Sequence, residues 1–202
     1  MEFRSKKIAV TGGIGSGKSL VLALLKEKGY PVFSCDEIYQ EITKEAAYIE
    51  AVGKLFPSAV KNGQIDRREL GKIVFDDEKK RAQLNAIAHP LIMERLFFDM
   101  KQIESKLVFA EVPLLFEGCL QEQFDATLVV LRNRDSRIQA IMDRDGISTN
   151  EAISRINAQF NYDLLSSIEK IKTENTYFLR NDTSLSDLNV SLTEILNKLK
   201  QS

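Results

Sequence analysis

Apolar residues fall along this chain in two kinds of pattern, short continuous runs and longer stretches with helical spacing. Runs rich in β-branched and aromatic residues predict five strands, at residues 7–11, 31–35, 107–112, 126–131 and 176–180. Continuous apolar character is typical of parallel strands that are buried on both faces. Helical spacing predicts helices after the first strand and at the end of the chain, over 19–28 and 185–199. The order of elements therefore predicts an α/β fold built on a mostly five-stranded parallel sheet.

Residues 37 to about 104 contain no run that predicts a buried strand, and their apolar spacing favours helices. Asp66 and Glu69 resemble a capping box at the start of one of them. Pro90 is expected to end one helix and to open another over 91–103, because proline cannot donate a backbone hydrogen bond. The segment is long for a connection between two strands, so we expect a helical lobe that builds part of a substrate pocket.

Residues 133–160 follow the fourth predicted strand and are rich in arginine. Asp135 can cap a helix that Gly146 ends. Two short helices that carry arginines suit a mobile lid, which closes over phosphates and excludes water. At least half of these arginines are expected on solvated helix faces. Arg144 is the one that we expect to bind phosphate, since a guanidinium binds phosphate bidentately and keeps its charge.

The composition narrows the class of protein. The 202 residues carry a net charge of −1 and are 44% hydrophobic and 28% charged, which indicates a globular chain. The near-zero charge argues against non-specific binding to nucleic acid or to a membrane surface. The longest apolar run is interrupted by Glu111, so no membrane span is expected. Cys35 and Cys119 suggest no disulfide framework, which suits a reducing cytoplasm. We also expect a monomer or a weak homo-oligomer.

Residues 12–19, Gly-Gly-Ile-Gly-Ser-Gly-Lys-Ser, fit the P-loop pattern G-x-x-x-x-G-K-[ST]. Glycines let backbone N–H groups turn toward a phosphate, Lys18 would reach the β- and γ-phosphates, and the Ser19 hydroxyl would bind Mg²⁺. The alternative is a glycine-rich turn with a solvated lysine, but a strand before the loop and a helix after it favour phosphate binding. The predicted nucleotide-binding residues are Gly13, Ile14, Gly15, Ser16, Gly17, Lys18, Ser19 and Leu20.

Two acidic residues stand at the carboxyl ends of predicted strands, at the sheet edge where α/β proteins bind ligands. Asp36 can be a base that accepts the proton of a phosphate acceptor, the cap of a helix starting at Glu37, or both. Glu111 either holds a water on Mg²⁺ or is a partly exposed edge carboxylate. The residues alone leave these alternatives open.

Two further residues are candidates for the site on weaker grounds. His89 is the only histidine in the chain, and one histidine cannot make a metal site. It is either a packed or capping residue or a functional one. Glu117 follows the apolar residues 113–116, and packing gives no reason for a carboxylate there, so it is a candidate to line the cleft.

These motifs together resemble the dephospho-coenzyme A kinase family, and the resemblance extends nearly from end to end. A P-loop alone is shared by many families, but its combination with the other motifs in this order is specific. The matching segments are residues 11–19, Asp36, Ile65-Asp66-Arg67, His89-Pro90-Leu91-Ile92, Pro113-Leu114-Leu115-Phe116-Glu117, and Arg144-Asp145-Gly146 with Arg155 and Gln159.

The resemblance implies transfer of the γ-phosphoryl group of ATP, with Mg²⁺, to the ribose 3′-hydroxyl of dephospho-coenzyme A. In that reaction Asp36 is the catalytic base, while Lys18 and Arg144 bind ATP and stabilise the transferring group. The acceptor is held by Asp36, Arg67, His89 and Glu117, and the metal by Ser19 and, through water, by Glu111. The family implies a three-layer P-loop NTPase fold in one domain over 1–202, with a core (about 1–36, 105–132 and 161–202), a helical insertion (about 37–104) and a lid (about 133–160).

The chain departs from the family pattern in the loop and the lid. Leu20 stands where threonine is usual, the lid usually has an arginine near Ala140, and lysine is common at Leu165. Two other classes are weighed against this family. One is another small-molecule or nucleotide kinase of the same fold. The other is a nucleotide-dependent switch, which would read guanine with N-K-x-D, whereas the only candidate, residues 197–200, lacks the Asp.

Overall fold

A computed structural model of the chain describes residues 5–75 and 77–201. It contains strands β1 (Lys6–Thr11), β2 (Val32–Ser34), β3 (Val60–Lys61), β4 (Gln64–Ile65), β5 (Leu107–Glu111), β6 (Ala126–Leu131) and β7 (Thr176–Arg180). The helices are α1 (Lys18–Glu27), α2 (Cys35–Ile42), α3 (Ala46–Leu55), α4 (Arg67–Phe75), α5 (Glu78–Lys101), α6 (Arg134–Asp145), α7 (Thr149–Asn157), α8 (Leu165–Ile171) and α9 (Leu185–Gln201). In this part of the chain, no helix is both long and apolar enough to cross a membrane.

The chain divides into two compact units. The first comprises the chain up to Phe33 and from Ile103 onward, and the second is Ser34–Gln102. The second unit is therefore a continuous insertion into the first.

Five parallel strands form the sheet of the first unit, in the order β2-β5-β1-β6-β7. The central strand β1 pairs with β5, where Val10 lies opposite Glu111, and with β6, where Thr11 lies opposite Val129. Parallel neighbours place their carboxyl ends at one edge, so the loop after β1 lies between the ends of β5 and β6. This arrangement confirms the predicted α/β class.

Helices cover both faces of the sheet. On one face, alternate strand residues such as Val10 and Leu128 pack against α1 and α9 in a cluster that includes Leu25 and Leu192. On the other face, Val129 packs with Tyr162 and with residues of α8. The three inner strands β5, β1 and β6 are largely buried, which is why the sequence shows them as continuous apolar runs, whereas the outer strands β2 and β7 are mostly half-buried.

The predicted strands of the five-stranded sheet agree closely with the structure. The difference that bears on the candidate site is where β2 ends. The predicted boundaries of β6 and β7 are correct. Strand β2 ends at Ser34, whose Oγ accepts a hydrogen bond from Glu37 N (3.4 Å) and caps α2. Helix α2 therefore begins at Cys35, and Asp36 lies in its first turn instead of capping it. The interpretation of Asp36 as the helix cap is wrong, and its role as a base stays a prediction.

The second unit is not purely helical. Strands β3 and β4 pair antiparallel and form a small hairpin around Asn62 and Gly63. Both turn residues have positive φ, 52° and 73°, as the tight Asn-Gly hairpin turn requires. Strands of two residues are too short to show the period-two pattern that predicts strands, so the sequence indicates the turn but not the pairing.

Helix α5 continues through Pro90, so the prediction of two helices separated by this proline is wrong. Proline inside a helix costs about 3 kcal/mol because one hydrogen bond is lost and the ring crowds the preceding turn. Buried residues on both sides oppose this cost: Leu84 and Ala88 before the proline, and Met93 and Leu96 after it. Burial of four such side chains outweighs one lost bond.

Helix α6 is capped by Asn133, whose side chain accepts from Ser136 N at 2.8 Å, and not by Asp135 as predicted. Asp135 lies in the first turn instead. The predicted end at Gly146 is correct, and its φ of 65° is the left-handed conformation that a glycine after a helix commonly adopts.

Candidate active site

The phosphate loop connects the central strand β1 to helix α1, at the carboxyl edge of the sheet. Lys18 is the first residue of α1, and its Nζ donates hydrogen bonds to Gly12 O (2.8 Å) and Gly13 O (3.4 Å). The loop therefore has a positive charge beside it and the partial positive charge of a helix N-terminus behind it. This combination attracts phosphate.

Three successive carbonyl groups of the loop each accept a hydrogen bond from the side chain of another element. The pairs are Ile14 O with Arg137 Nε (3.0 Å), Gly15 O with Arg132 Nη1 (3.4 Å) and Ser16 O with Asn181 Nδ2 (2.9 Å). A trans peptide directs the following N–H to the side opposite its C=O. The carbonyls are thus held outward, which orients the N–H groups of Gly15 and Gly17 toward the interior of the loop, where a phosphate would bind.

Gly17 fits its place for two separate reasons. Its φ of 91° is left-handed, and a Cβ there would lie 2.1 Å from Asn181 Nδ2. We expect Gly17→Ala to cost about 2 kcal/mol of unfolding free energy, the sum of the left-handed backbone cost and the loss of the Asn181–Ser16 bond. Gly29→Ala is the matched control, since Gly29 has a φ of 81° and open space around it, and should cost about 1 kcal/mol. Urea unfolding measures both values, and equal costs would contradict the role of Asn181.

The predicted metal ligands lie on neighbouring elements of the same unit. Ser19 is exposed in the first turn of α1, and Glu111 is the last residue of β5, opposite Val10. No group of three His, Cys, Asp or Glu side chains that could hold a metal occurs among residues 5–75 and 77–201. Mg²⁺ in kinases is bound by one or two protein oxygens together with substrate phosphates. One hydroxyl and one carboxylate at the strand edge fit that requirement.

Arg144 is bound to its sequence neighbour. Its Nε and Nη2 donate to the two carboxylate oxygens of Asp145, at 2.7 and 2.9 Å, and Arg155 also donates to that carboxylate. The hydrogen bonds from Arg144 lower the pKa of Asp145, so this carboxyl group is ionised at neutral pH. The Arg144 side chain is 61% exposed. Its binding to phosphate stays a prediction.

Glu117 has a definite structural role. Its Oε1 accepts a hydrogen bond from Phe160 N at 2.7 Å. The rings of Phe116, Phe160 and Tyr162 pack together beside it, with ring centroids 5.0–6.3 Å apart. The carboxylate therefore anchors the segment that follows α7. This contact gives the packing reason that the sequence did not supply, and the predicted contact to the acceptor stays untested.

The other predicted acceptor residues lie in the second unit. Asp36 is exposed in the first turn of α2. Arg67 begins α4, and its Nη2 donates to Thr43 Oγ1 at 3.1 Å. His89 is half-buried in α5, and burial lowers its pKa, so its imidazole is neutral at pH 7. The structure thus places Asp36, Arg67 and His89 in one unit, and the loop, Glu111, Glu117 and Arg144 in the other.

Arg137 was not selected from the sequence, although it contacts the loop directly. It is 1% exposed and lies four residues before the buried Ile141 in α6. An arginine that falls in the apolar stripe of a helix is an unusual feature. That position, more than the number of arginines nearby, could have singled it out.

The loop at 12–19 after the central strand of a parallel sheet defines the class of P-loop nucleotide-binding folds, which includes kinases. A shikimate kinase from Bacteroides thetaiotaomicron superposes with a TM-score of 0.52 at 14% identity, over 96% of this chain and 98% of that one. A gluconokinase from Sinorhizobium meliloti superposes with a TM-score of 0.50 at 16% identity, over 100% and 96%. Identities this low establish the shared fold alone.

The particular family follows from closer relatives. A model of the dephospho-CoA kinase family matches residues 6–187. A dephospho-CoA kinase of Thermus thermophilus is 36% identical over 95% of this chain and 91% of its own length. One of Geobacillus kaustophilus is 39% identical over 76% and 79%. A crystal structure from Thermus thermophilus has a TM-score of 0.82 at 37% identity, over 97% and 98%. The chain belongs to the dephospho-CoA kinase family, which confirms the resemblance seen in its motifs.

Proposed function

We propose that this chain transfers the γ-phosphoryl group of ATP to the ribose 3′-hydroxyl of dephospho-coenzyme A, giving coenzyme A and ADP. The family match over residues 6–187 supports the acceptor. The observation that carries the phosphoryl transfer is the loop at 12–19, whose carbonyls are held outward by side chains. Phosphoryl transfer needs little covalent participation of the protein, so positioning and charge stabilisation suffice.

The loop and two cations carry the ATP half of the reaction. Backbone N–H groups of the loop bind the phosphates, and Lys18 neutralises charge that develops between the β- and γ-groups. Arg144 exchanges Asp145 for a phosphate oxygen and stabilises the transferring group. Because Arg144 is largely exposed, it can move to a ligand without leaving a buried cavity.

The second unit carries the acceptor half. Asp36 accepts the proton of the 3′-hydroxyl as the hydroxyl oxygen attacks phosphorus, a task suited to an exposed carboxylate. Arg67, the neutral imidazole of His89 and Glu117 are the other proposed acceptor-binding residues. In this proposal the lobe at 37–104 is the acceptor-binding insertion, and residues 133–160 form the lid over the core.

Mg²⁺ completes the site. Mg²⁺ would supply positive charge that neutralises part of the charge on the phosphates of ATP during transfer. Ser19 Oγ would be a direct ligand, and Glu111 would accept a hydrogen bond from a metal-bound water. Both residues stand next to the loop at the strand edge.

We also propose that the enzyme is cytoplasmic and is a monomer or a weak homo-oligomer. Its substrate is a small molecule, and it binds no nucleic acid. Buried Cys35 and exposed Cys119 form no disulfide, which suits a reducing compartment.

The acceptor assay tests the proposed function directly. ADP formation from ATP and Mg²⁺ is measured with dephospho-coenzyme A, with coenzyme A, and with AMP, CMP and UMP. We expect strong stimulation by dephospho-coenzyme A alone, because coenzyme A already carries the 3′-phosphate. Stimulation by a nucleoside monophosphate instead would assign another kinase activity of this fold. ATP hydrolysis that no acceptor changes would favour a nucleotide-dependent switch.

A further inference from the structure

Arg137 is the one charged side chain that is buried in the described part of the chain. Removing a guanidinium from water is costly unless hydrogen bonds and an opposite charge compensate. Burial lowers the pKa of Arg137 and the Asp163 carboxylate opposes that shift, so the group stays protonated at pH 7. The hydrogen-bond partners of Arg137 indicate what the burial of its charge is for.

Arg137 has one hydrogen-bond partner in the phosphate loop and another in the segment that follows α7. Nε donates to Ile14 O in the phosphate loop, and Nη1 donates to Asp163 Oδ1, both at 3.0 Å. The Ile14 N–H donates in turn to Gln159 Oε1 at 2.7 Å. Side chains from both ends of the segment 137–159 therefore hold the two backbone polar groups of a single loop residue.

The Asp163 carboxylate is itself fixed by a second arginine. Arg134 Nη1 donates to Asp163 Oδ2 and Arg134 Nη2 to Asn157 Oδ1, each at 2.8 Å. Two guanidinium groups share one carboxylate, which leaves one excess positive charge beside the loop. Because Arg137 is buried, this charge is screened less than an exposed one.

The loop glycines match the shape of Arg137. A Cβ on Gly13 would lie 2.3 Å from Arg137 Nη2, and a Cβ on Gly15 would lie 2.7 Å from Arg137 O. The loop backbone packs directly against Arg137, and no side chain larger than that of glycine would fit between them. The contact therefore depends on both Arg137 and the glycines at positions 13 and 15.

We propose that Arg137 is a positioning residue for nucleotide binding, which holds the Ile14 carbonyl outward so that the Gly15 N–H faces the phosphate. Its charge, only partly balanced by Asp163, adds to the attraction of the loop for anions. The inference rests on the proposed function only in taking ATP as the ligand of the loop. Arg137 acts through the loop and touches no reacting atom.

The test compares Arg137→Met with Arg137→Lys in the full chain. Methionine fills much of the volume without charge or hydrogen bonds, and lysine keeps the charge but cannot bind both acceptors in a fork. Arg95→Met is the matched control, since Arg95 lies in α5 with a side chain 53% exposed. Calorimetry gives the Kd of ADP and of AMP, and steady-state assays give the KM of both substrates.

We expect R137M to weaken ADP binding about tenfold or more and AMP binding less than about threefold, because the loop binds the β-phosphate. R137K should lie between R137M and wild type, and R95M should equal wild type. The KM for dephospho-coenzyme A should stay within about twofold in every variant, as expected of a residue that acts on ATP alone.

A purely structural role would lower the midpoint of thermal unfolding while the folded protein kept its ADP affinity, and that result would overturn the proposal. If R137M does not fold, the comparison of R137K with wild type decides: unchanged ADP affinity overturns the inference, and a loss of about threefold or more supports it. ADP binding needs no acceptor. A chain that used a different acceptor would therefore still pass this test, so the two proposals fail separately.

Discussion

Lys18→Ala is expected to leave no measurable turnover, a loss of at least about 10³-fold in kcat. The ammonium group lies beside the Gly12 and Gly13 carbonyls, at the point where the chain turns from the loop into α1. In the proposed reaction, a point charge there would act on the oxygens between the β- and γ-phosphates, where negative charge grows during transfer. Alanine removes the charge and leaves the helix intact, since alanine is the best helix former.

The measurement is ADP release from purified protein at saturating ATP and acceptor, with circular dichroism to confirm folding. Lys26→Ala is the matched control: it lies in the same helix, is exposed, and should retain wild-type activity. Appreciable turnover by a folded Lys18→Ala protein would contradict the phosphate role of this residue.

Asp36→Asn should reduce kcat by about 10²-fold or more and leave the KM for ATP nearly unchanged, as expected when a general base is lost. Asparagine keeps the size and polarity of the side chain but cannot take a proton. Asp36 is exposed, and Ser34 caps α2 independently, so the helix keeps its start in the variant. The loss therefore reports on chemistry instead of folding.

Glu37→Gln provides the control, because Glu37 is the adjacent exposed carboxylate in the same turn. It should change kcat by less than about threefold. A loss below about tenfold in Asp36→Asn would remove Asp36 as the base, and equal losses in both variants would point to the summed charge of the turn.

Much of the fold could be predicted because its elements are specified locally. Strand β6 is a continuous apolar run because it is buried along its whole length. Strand β7 is indicated by its aromatic and apolar residues, although Leu179 is its one buried residue. The continuous helix α5 could not be predicted through Pro90, since the packing of Leu84 and Met93 that opposes the local signal is a tertiary property. The hairpin at Asn62-Gly63 was missed because two-residue strands have no periodicity.

The same distinction applies to the site. The loop at 12–19 is defined by its own spacing, so its position and contacts to Lys18 follow from eight consecutive residues. The contacts that hold its carbonyls come from Arg137 and Asn181, which are 123 and 165 residues away from their partners. Side chains brought together over such distances leave no spacing in the sequence, and only the fold reveals them.

The pairing of Arg144 with Asp145 bears on how the proposed lid would bind and release nucleotide over successive reaction cycles. The carboxylate presents two oxygens to the guanidinium in the same forked geometry that a phosphate would offer. In the proposed reaction, nucleotide binding would replace Asp145 by a phosphate group as the anion bound to Arg144. Arg144 would then have an anionic partner both before substrate binds and after product leaves, so each cycle would begin and end with the same ion pair.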